Sequence, residues 1–309
     1  MVKRDTNTES LSSSGHRLGQ IVGDWWEVDV IFPLLKDAAN KLNLYLDNRT
    51  VSRSCRKDKI QWADSDGNFV DYDYVLEVNG TNRTIGTPVG FIESFWRRGA
   101  RHSKDKARDD TNKLLPMRST YPTARLLAIA ACGEFTEPAR DYVRSRNVEL
   151  FFLPKEKIMA AFKAHGLEID YPDSLSEKEK QKLVKAVELR FNKTLAARVT
   201  SSLHEICGRS TFTAFQDKIT GSLSAQPQQI RVYMLTRSEP AIFDNIKEAC
   251  RFLASPRQTF DMGKGVSKFD YEVVFSDGSE FSRGDCDFET VRKTNLQLAV
   301  LVEHIKAIS

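Results

Sequence analysis

Trp25, Val28, Phe32, Leu35, Ala39, Leu42 and Leu46 recur three or four residues apart, which predicts an amphipathic helix over 24–48 with Asp24 as its cap and Pro33 as a point of kinking. After a basic segment the period changes. Strand-like runs at 59–62, 68–78 and 88–96, separated by D-S-D-G at 64–67 and N-G-T-N-R-T-I-G-T at 79–87, predict a three-stranded meander. A helix over 101–115 follows. R-L-L-A-I-A-A-C at 125–132 is a short apolar run stopped by Gly133, as a strand buried on both faces should be. A helix at 137–146, a strand at 148–153 and a helix at 155–165 complete a mixed α/β sheet flanked by helices.

Ser176 and Glu179 form a capping-box pattern, and Leu183, Val184, Val187, Phe191, Leu195, Val199, Leu203 and Ile206 continue it as one long amphipathic helix over 176–206. This stripe can pack on the core or meet a partner. G-S-L-S-A-Q-P-Q marks 208–228 as a linker. Beyond it a strand at 230–236, a helix at 240–253, a hairpin at 270–282 turning on Asp277-Gly278, and a helix at 288–308 make a small α+β unit. The expected organisation is a disordered polar tail over 1–18, a core over 19–170, the long helix and linker over 171–222, and the small unit over 223–309. Alternating Phe269, Tyr271, Val273 and Phe275 suit either a packed hairpin or a base-stacking platform.

Composition narrows the classes. Forty per cent apolar and 28% charged residues are ordinary for a globular protein, and no run approaches the ~20 apolar residues of a membrane span. The polar start lacks the apolar middle of a signal peptide, so a cytoplasmic protein is expected. Cys55, Cys132, Cys207, Cys250 and Cys286 are odd in number and contain no C-x-x-C pair, which favours reduced thiols and argues against structural zinc. The five histidines form no H-E-x-x-H pattern, and D-M-G-K-G at 261–265 lacks the strand–loop–helix context of a phosphate loop. The net charge of +4 implies no nucleic-acid partner unless the cations cluster.

They do cluster. F-I-E-S-F-W-R-R-G-A-R-H-S-K-D-K at 91–106 places Glu93 inside an apolar strand and follows it with Arg97, Arg98, Arg101, Lys104, Lys106 and then Arg108. If the preceding turn centres on Arg83, Asp73 lies directly opposite Glu93, with Cβ atoms ~5 Å apart on one face of the sheet. Val75, Glu77, Val89, Phe91 and Phe95 would share that face; Tyr74, Leu76, Val78, Ile92 and Trp96 would line the other. Two adjacent carboxylates between largely apolar faces are costly to ionise. A divalent cation such as Mg²⁺ relieves the conflict; so would a matching arginine, or exposure to solvent. The basic run is either a solvated face or a grip on a polyanion.

Y-D-Y-V-L-E-V with Asp73 and I-E-S-F with Glu93, joined by a hairpin and followed by that basic run, resemble the PD-(D/E)XK nuclease superfamily and in particular type II restriction endonucleases. The resemblance covers roughly 24–166. It implies a restriction-endonuclease-like core, a smaller C-terminal α+β domain, and Mg²⁺-dependent hydrolysis of DNA phosphodiester bonds, with Asp73 and Glu93 as catalytic metal ligands. Tyr72 stands where the motif has Pro, and Phe95 where it has Lys. Since the lysine in this superfamily can move to the following helix, the resemblance implies Lys106 or Lys104 in that role. Lys106 shares a helical face with His102 and Asp109, and Glu27 is either a further acid near the site or a surface residue. Arg97, Arg98, Arg101, His102 and Arg108 are the expected DNA contacts. Double-stranded DNA, a second copy of the chain in a homodimer, and a cognate DNA methyltransferase are the implied partners. The alternatives are a non-catalytic nucleic-acid-binding protein on the same fold, and a repair or defence nuclease without a fixed site.

Overall fold

The computed structural model describes residues 13–234, 239–254 and 268–308. The D-M-G-K-G stretch and positions 1–12 of the expected tail lie outside the described residues. The rest of that tail is not irregular. Ser14–Trp25 is helical (α1), Ser13 caps it by accepting from the His16 N–H, and Ser14, Leu18, Val22 and Trp25 are buried at helical spacing.

The helix expected over 24–48 is three structures. Trp26–Ile31 is a π-helical turn, Phe32–Lys41 is α-helix (α2) with Pro33 in its first turn, and Tyr45–Asn48 is a strand (β1). Pro33 lies in a run of helical backbone that passes from the π-helical turn straight into the first turn of α2. Asn43 takes a left-handed conformation (φ 49°) and turns the chain into β1.

Gln61–Ala63 (β2) and Phe69–Asp71 (β3) pair only with each other as a small hairpin, so the expected meander splits. Tyr74–Val78 (β4) and Thr87–Arg97 (β5) enter the main sheet. Ser103–Thr120 (α3), Leu126–Gly133 (β6), Glu137–Ser145 (α4), Glu149–Pro154 (β7) and Lys155–Lys163 (α5) follow in the expected order. The five strands run β1-β4-β5-β6-β7, with β1, β4 and β5 antiparallel in sequence and β5, β6 and β7 parallel. A mixed sheet between helices is therefore the architecture. All eight residues of β6 are buried, as its unbroken apolar run requires.

Tyr74 pairs with Ile92 and Val75 with Phe91, which is the register expected from a turn centred on Arg83. A bulge between Leu76 and Glu77 then shifts it. As a result Val89 joins the cluster of Tyr74, Leu76 and Ile92 instead of the Asp73 face. The opposite face carries Val75, Phe91, Phe95, Leu127, Ile129 and Ala131 under α3 and α4. Glu77 is bound by Arg53, which also holds Asp47; all three side chains are fully buried.

The capping box at Ser176 and Glu179 is formed, but the long helix breaks. Glu177–Arg190 (α6) ends at Phe191, and Asn192 caps Lys193–Cys207 (α7) by accepting from the Leu195 N–H. The expected linker is a helix, Arg209–Ser224 (α8), whose Phe212, Phe215, Ile219 and Leu223 share one buried face. Val184, Val187, Val199 and Leu203 also pack into the main core, so the stripe is used internally.

Pro227–Met234 (β8), Ala241–Phe243 (β9), Phe269–Phe275 (β10) and Glu280–Cys286 (β11) form an antiparallel sheet ordered β11-β10-β8-β9. Ile246–Ala254 (α9) and Phe288–Ile308 (α10) cover it. Phe269, Tyr271, Val273 and Phe275 are all fully buried there, so they form a packed hairpin and present no base-stacking platform. All five cysteines are free. Among the described residues no helix is long and apolar enough to cross a membrane.

Candidate active site

Asp73 is the last residue before β4, and its Oδ2 accepts the Ser94 N–H at 2.7 Å, which ties it to β5 beside Glu93. Glu93 lies in the middle of β5, 3% exposed, on the face covered by α3. Alternation along β5 sends Phe91, Glu93 and Phe95 the same way, so the acid shares its surroundings with two aromatic rings. Burial and the neighbouring Asp73 charge push the Glu93 carboxyl up to about 8, against the pull of Lys113. Burial also raises Asp73, opposed by the Ser94 N–H, Lys113 and Lys106.

The cation nearest this pair is not one the sequence reading selected. Lys113 Nζ lies 2.8 Å from Glu93 Oε1 and 5.2 Å from the centre of the Tyr72 ring. Lys106 donates to Asp110 Oδ1 at 2.7 Å, with its ammonium 5.1 Å from the centre of the Phe95 ring. Lys104 is exposed on the outer side of α3 and is not brought to the acids. Lys106, Asp110 and Lys113 follow i, i+4, i+7 spacing, which places them on one stripe. That spacing could have found Lys113; starting the stripe at His102 and ending it at Asp109 missed it. Ala107, Leu114 and Met117 pack onto the sheet and set the rotation of α3 that turns this stripe toward Glu93.

Glu27 is buried, not a surface acid. It sits in the π-helical turn, where Arg49 Nε donates to its Oε1 at 2.8 Å and Asn48 Nδ2 donates to the same oxygen at 3.0 Å. Asn48 Nδ2 also donates to the Asp73 carbonyl at 3.0 Å, so one amide links the two acid-bearing segments. Burial raises the Glu27 carboxyl, Arg49 lowers it, and the charge of Asp73 raises it further.

The expected DNA contacts divide into two groups. Arg98 is committed inside the fold: it pairs with Asp170 and Asp173, donates to the Tyr171 carbonyl at 2.9 Å and stacks over the Tyr171 ring. Its guanidinium is occupied by acids more than seventy residues away in sequence, so it is not part of an open phosphate grip. Arg97 is half-buried and donates to the Arg101 carbonyl. Arg101, His102 and Arg108 are exposed, and His102, in a left-handed conformation ahead of α3, pairs with Asp105.

No group of three or more His, Cys, Asp or Glu suited to a metal ion occurs among the described residues, so the site is not an all-protein cage. Mg²⁺ does not need one: one or two carboxylates suffice when waters and a substrate phosphate complete the octahedron. Asp73 and Glu93 fit that donor set. Ser94 Oγ and Asp110 Oδ2 are buried without hydrogen-bond partners. Three carboxylates, Asp73, Glu93 and Asp110, interact here with Lys106 and Lys113, and burial with the Asp73 charge favours the protonated form of Glu93. A dication would favour its ionised form.

No family model, no curated protein and no solved structure matches this chain.

Proposed function

We propose that the chain is a Mg²⁺-dependent DNA endonuclease of the PD-(D/E)XK type, acting in the cytoplasm as a restriction enzyme on duplex DNA. The observation that carries this reading is the buried Glu93 on β5 beside the partly buried Asp73, which precedes β4 and accepts the Ser94 N–H, with Lys113 Nζ 2.8 Å from Glu93. The antiparallel pair β4–β5 followed by helix α3 agrees with the order of elements around the two acids on which the resemblance rests.

Asp73 and Glu93 would hold the ion, and Asp110 and Glu27 shape the field around them. When bound, the ion acidifies a coordinated water and offsets charge on the scissile phosphate. Lys113 supplies a flexible point charge beside Glu93, suited to orienting a water and offsetting negative charge, and it would take the position that Phe95 cannot fill. Phe95 and Phe91 keep the acids in a low-dielectric setting that strengthens both effects. Arg97, Arg101, His102, Arg108 and Lys104 lie next along the chain as contacts to flanking phosphates, which position a duplex without reading its sequence. Cutting both strands calls for two such sites, hence a homodimer, and protection of the host's own DNA calls for a cognate methyltransferase.

Incubation with mixed plasmid DNA and Mg²⁺ tests the reading. Discrete fragments are expected; a smear indicates a nuclease without a fixed site. The direct Lys113–Glu93 contact favours one further reading, a site whose acid is already occupied and which binds nucleic acid without cutting. Binding with no cleavage across Mg²⁺ and Mn²⁺ supports that second reading and excludes the first.

A further inference from the structure

A second concentration of chemistry lies away from the acids, where the β10–β11 hairpin meets the N-terminal ends of β6 and β7. Here a cavity of about 860 Å³ is lined by Arg118 from α3, Arg125 just before β6, Arg144 from α4 and Lys218 from α8, with Asp277 and Ser279 of the hairpin opposite. The register Glu93↔Ile129 sets Arg125 four residues before the acid's neighbour, about 13 Å along the strand. The two sites are therefore at different levels of the same sheet.

The charges in this cavity are unevenly matched. Lys218 pairs with Glu149 at 2.6 Å and Arg144 with Asp141 at 3.5 Å. Arg125 is 7% exposed, meets Asp277 at 3.2 Å, and keeps a buried Nε with no acceptor. Arg118 donates to the Asn147 carbonyl at 2.7 Å and, among the described residues, has no carboxylate at ion-pair distance. Of the two guanidinium groups, Arg125 alone has a carboxylate at ion-pair distance among the described residues. Glu149 and Glu280 also line the cavity, but Glu149 is held by Lys218 and Glu280 is exposed at the rim.

The half-buried Arg118 has no counter-ion among the described residues and Arg125 has a buried, unused Nε donor, so an anion with several acceptor oxygens would make charge-assisted bonds to both. The Arg125 plane is already fixed, lying 3.4 Å from the centre of the Phe275 ring, so little freedom is lost on binding. We propose that this cavity is a binding site for a phosphate group, held between Arg118 and the free edge of Arg125, with Arg144 and Lys218 at its margin. The same chemistry reaches the cavity on a small phosphorylated ligand or on a phosphorylated nucleic-acid end. Burial pushes both Arg118 and Arg125 down, Arg125 to about 10, and Asp277 opposes this only in part. Asp277 becomes the resident competitor, an acid that occupies Arg125 until the ligand displaces it.

The proposal is independent of the nuclease reading. It is tested by calorimetry and thermal unfolding of the full chain with inorganic phosphate and pyrophosphate, against chloride at equal ionic strength. Saturable binding is expected, with a rise in unfolding temperature that chloride does not reproduce. Arg118→Gln should weaken phosphate binding about tenfold or more, because a charge-assisted contact is lost. Asp277→Asn should tighten it, because the competing acid is removed. Opposite signs in the two variants exclude a general loss of folding as the cause. Competition by a mononucleotide and by a 5′-phosphorylated oligonucleotide then distinguishes the two sources, and either result supports the site. Stabilisation equal to that by chloride, or an Arg118→Gln protein that binds phosphate as the parent does, overturns it.

Discussion

Lys113 Nζ stands 2.8 Å from Glu93 Oε1 although twenty residues and a change from strand to helix separate them. The contact is made because β5 buries Glu93 under α3, and α3 rotates Lys113 down onto it. Phe95 leaves its own strand without a lysine, and the helix above supplies one.

If Lys113 carries the charge the chemistry uses, Lys113→Met should lower the rate of plasmid cleavage by roughly two to three orders of magnitude. Lys106→Met should have a smaller effect, because Lys106 is held by Asp110 over the Phe95 ring. Single-turnover cleavage at saturating Mg²⁺ measures both. Equal losses, or a larger loss from Lys106→Met, would reverse the assignment.

Asp73→Asn and Glu93→Gln should each abolish cleavage while duplex binding, followed by fluorescence anisotropy in Ca²⁺, changes little. Cleavage persisting in either variant removes the assigned metal site. The arginine-rich surface makes the retained binding salt-dependent.

The metal-free protein should lose stability as pH rises from about 5 to 9. Glu93 ordinarily titrates near 4.5 and in the fold near 8, so the folded state holds a proton that the unfolded state has released across that window. The stabilising contribution is complete below the lower value and is lost as pH climbs through the upper one, with a slope of at most about 1.4 kcal/mol per pH unit. Asp73, Asp110 and Glu27 are raised too and act in the same direction. Unfolding midpoints in EDTA should fall toward alkaline pH, and Glu93→Gln should flatten that fall. A Glu93→Gln curve parallel to the parent's would show that Glu93 is not the titrating group.

Arg53 donates to Asp47 and to both oxygens of Glu77 in the interior, and also to the carbonyls of Thr81 and Thr84. Arg53→Met should destabilise the fold by about 3–5 kcal/mol, since two buried carboxylates lose their shared partner. Denaturant unfolding measures this. The milder double variant with Glu77→Gln should recover part of the loss, whereas no recovery would argue that the arginine acts mainly through packing.

Much of this molecule follows from local pattern. The apolar run from Arg125 to Cys132 specifies a two-face-buried strand wherever it is placed, and the capping box at Ser176 starts a helix from neighbouring residues alone. Hairpin spacing between Asp73 and Glu93 is a short-range property as well. Each is set by contacts a few residues apart, where periodicity and turn chemistry are informative.

Other features depend on partners distant in the chain. Tyr45–Asn48 has four residues, too few to show an alternating pattern, and becomes a strand by pairing with β4. The segment 208–228 reads as a linker by its G-S-L-S-A-Q-P-Q stretch, yet the buried Phe212, Phe215, Ile219 and Leu223 pack into the main core, two of them against Phe151, and hold 209–224 helical. Arg98 looks like its basic neighbours until Asp170 and Asp173 are folded against it. The choice of Lys113 over Lys104 is of the same kind. Amino-acid order alone set one acid at the head of a strand and a second acid within the strand paired to it, with a lysine-bearing helix to follow. Only the packing of α3 on the sheet decided which ammonium reaches them, because a helix's rotation is set by the surface it covers and not by its own residues.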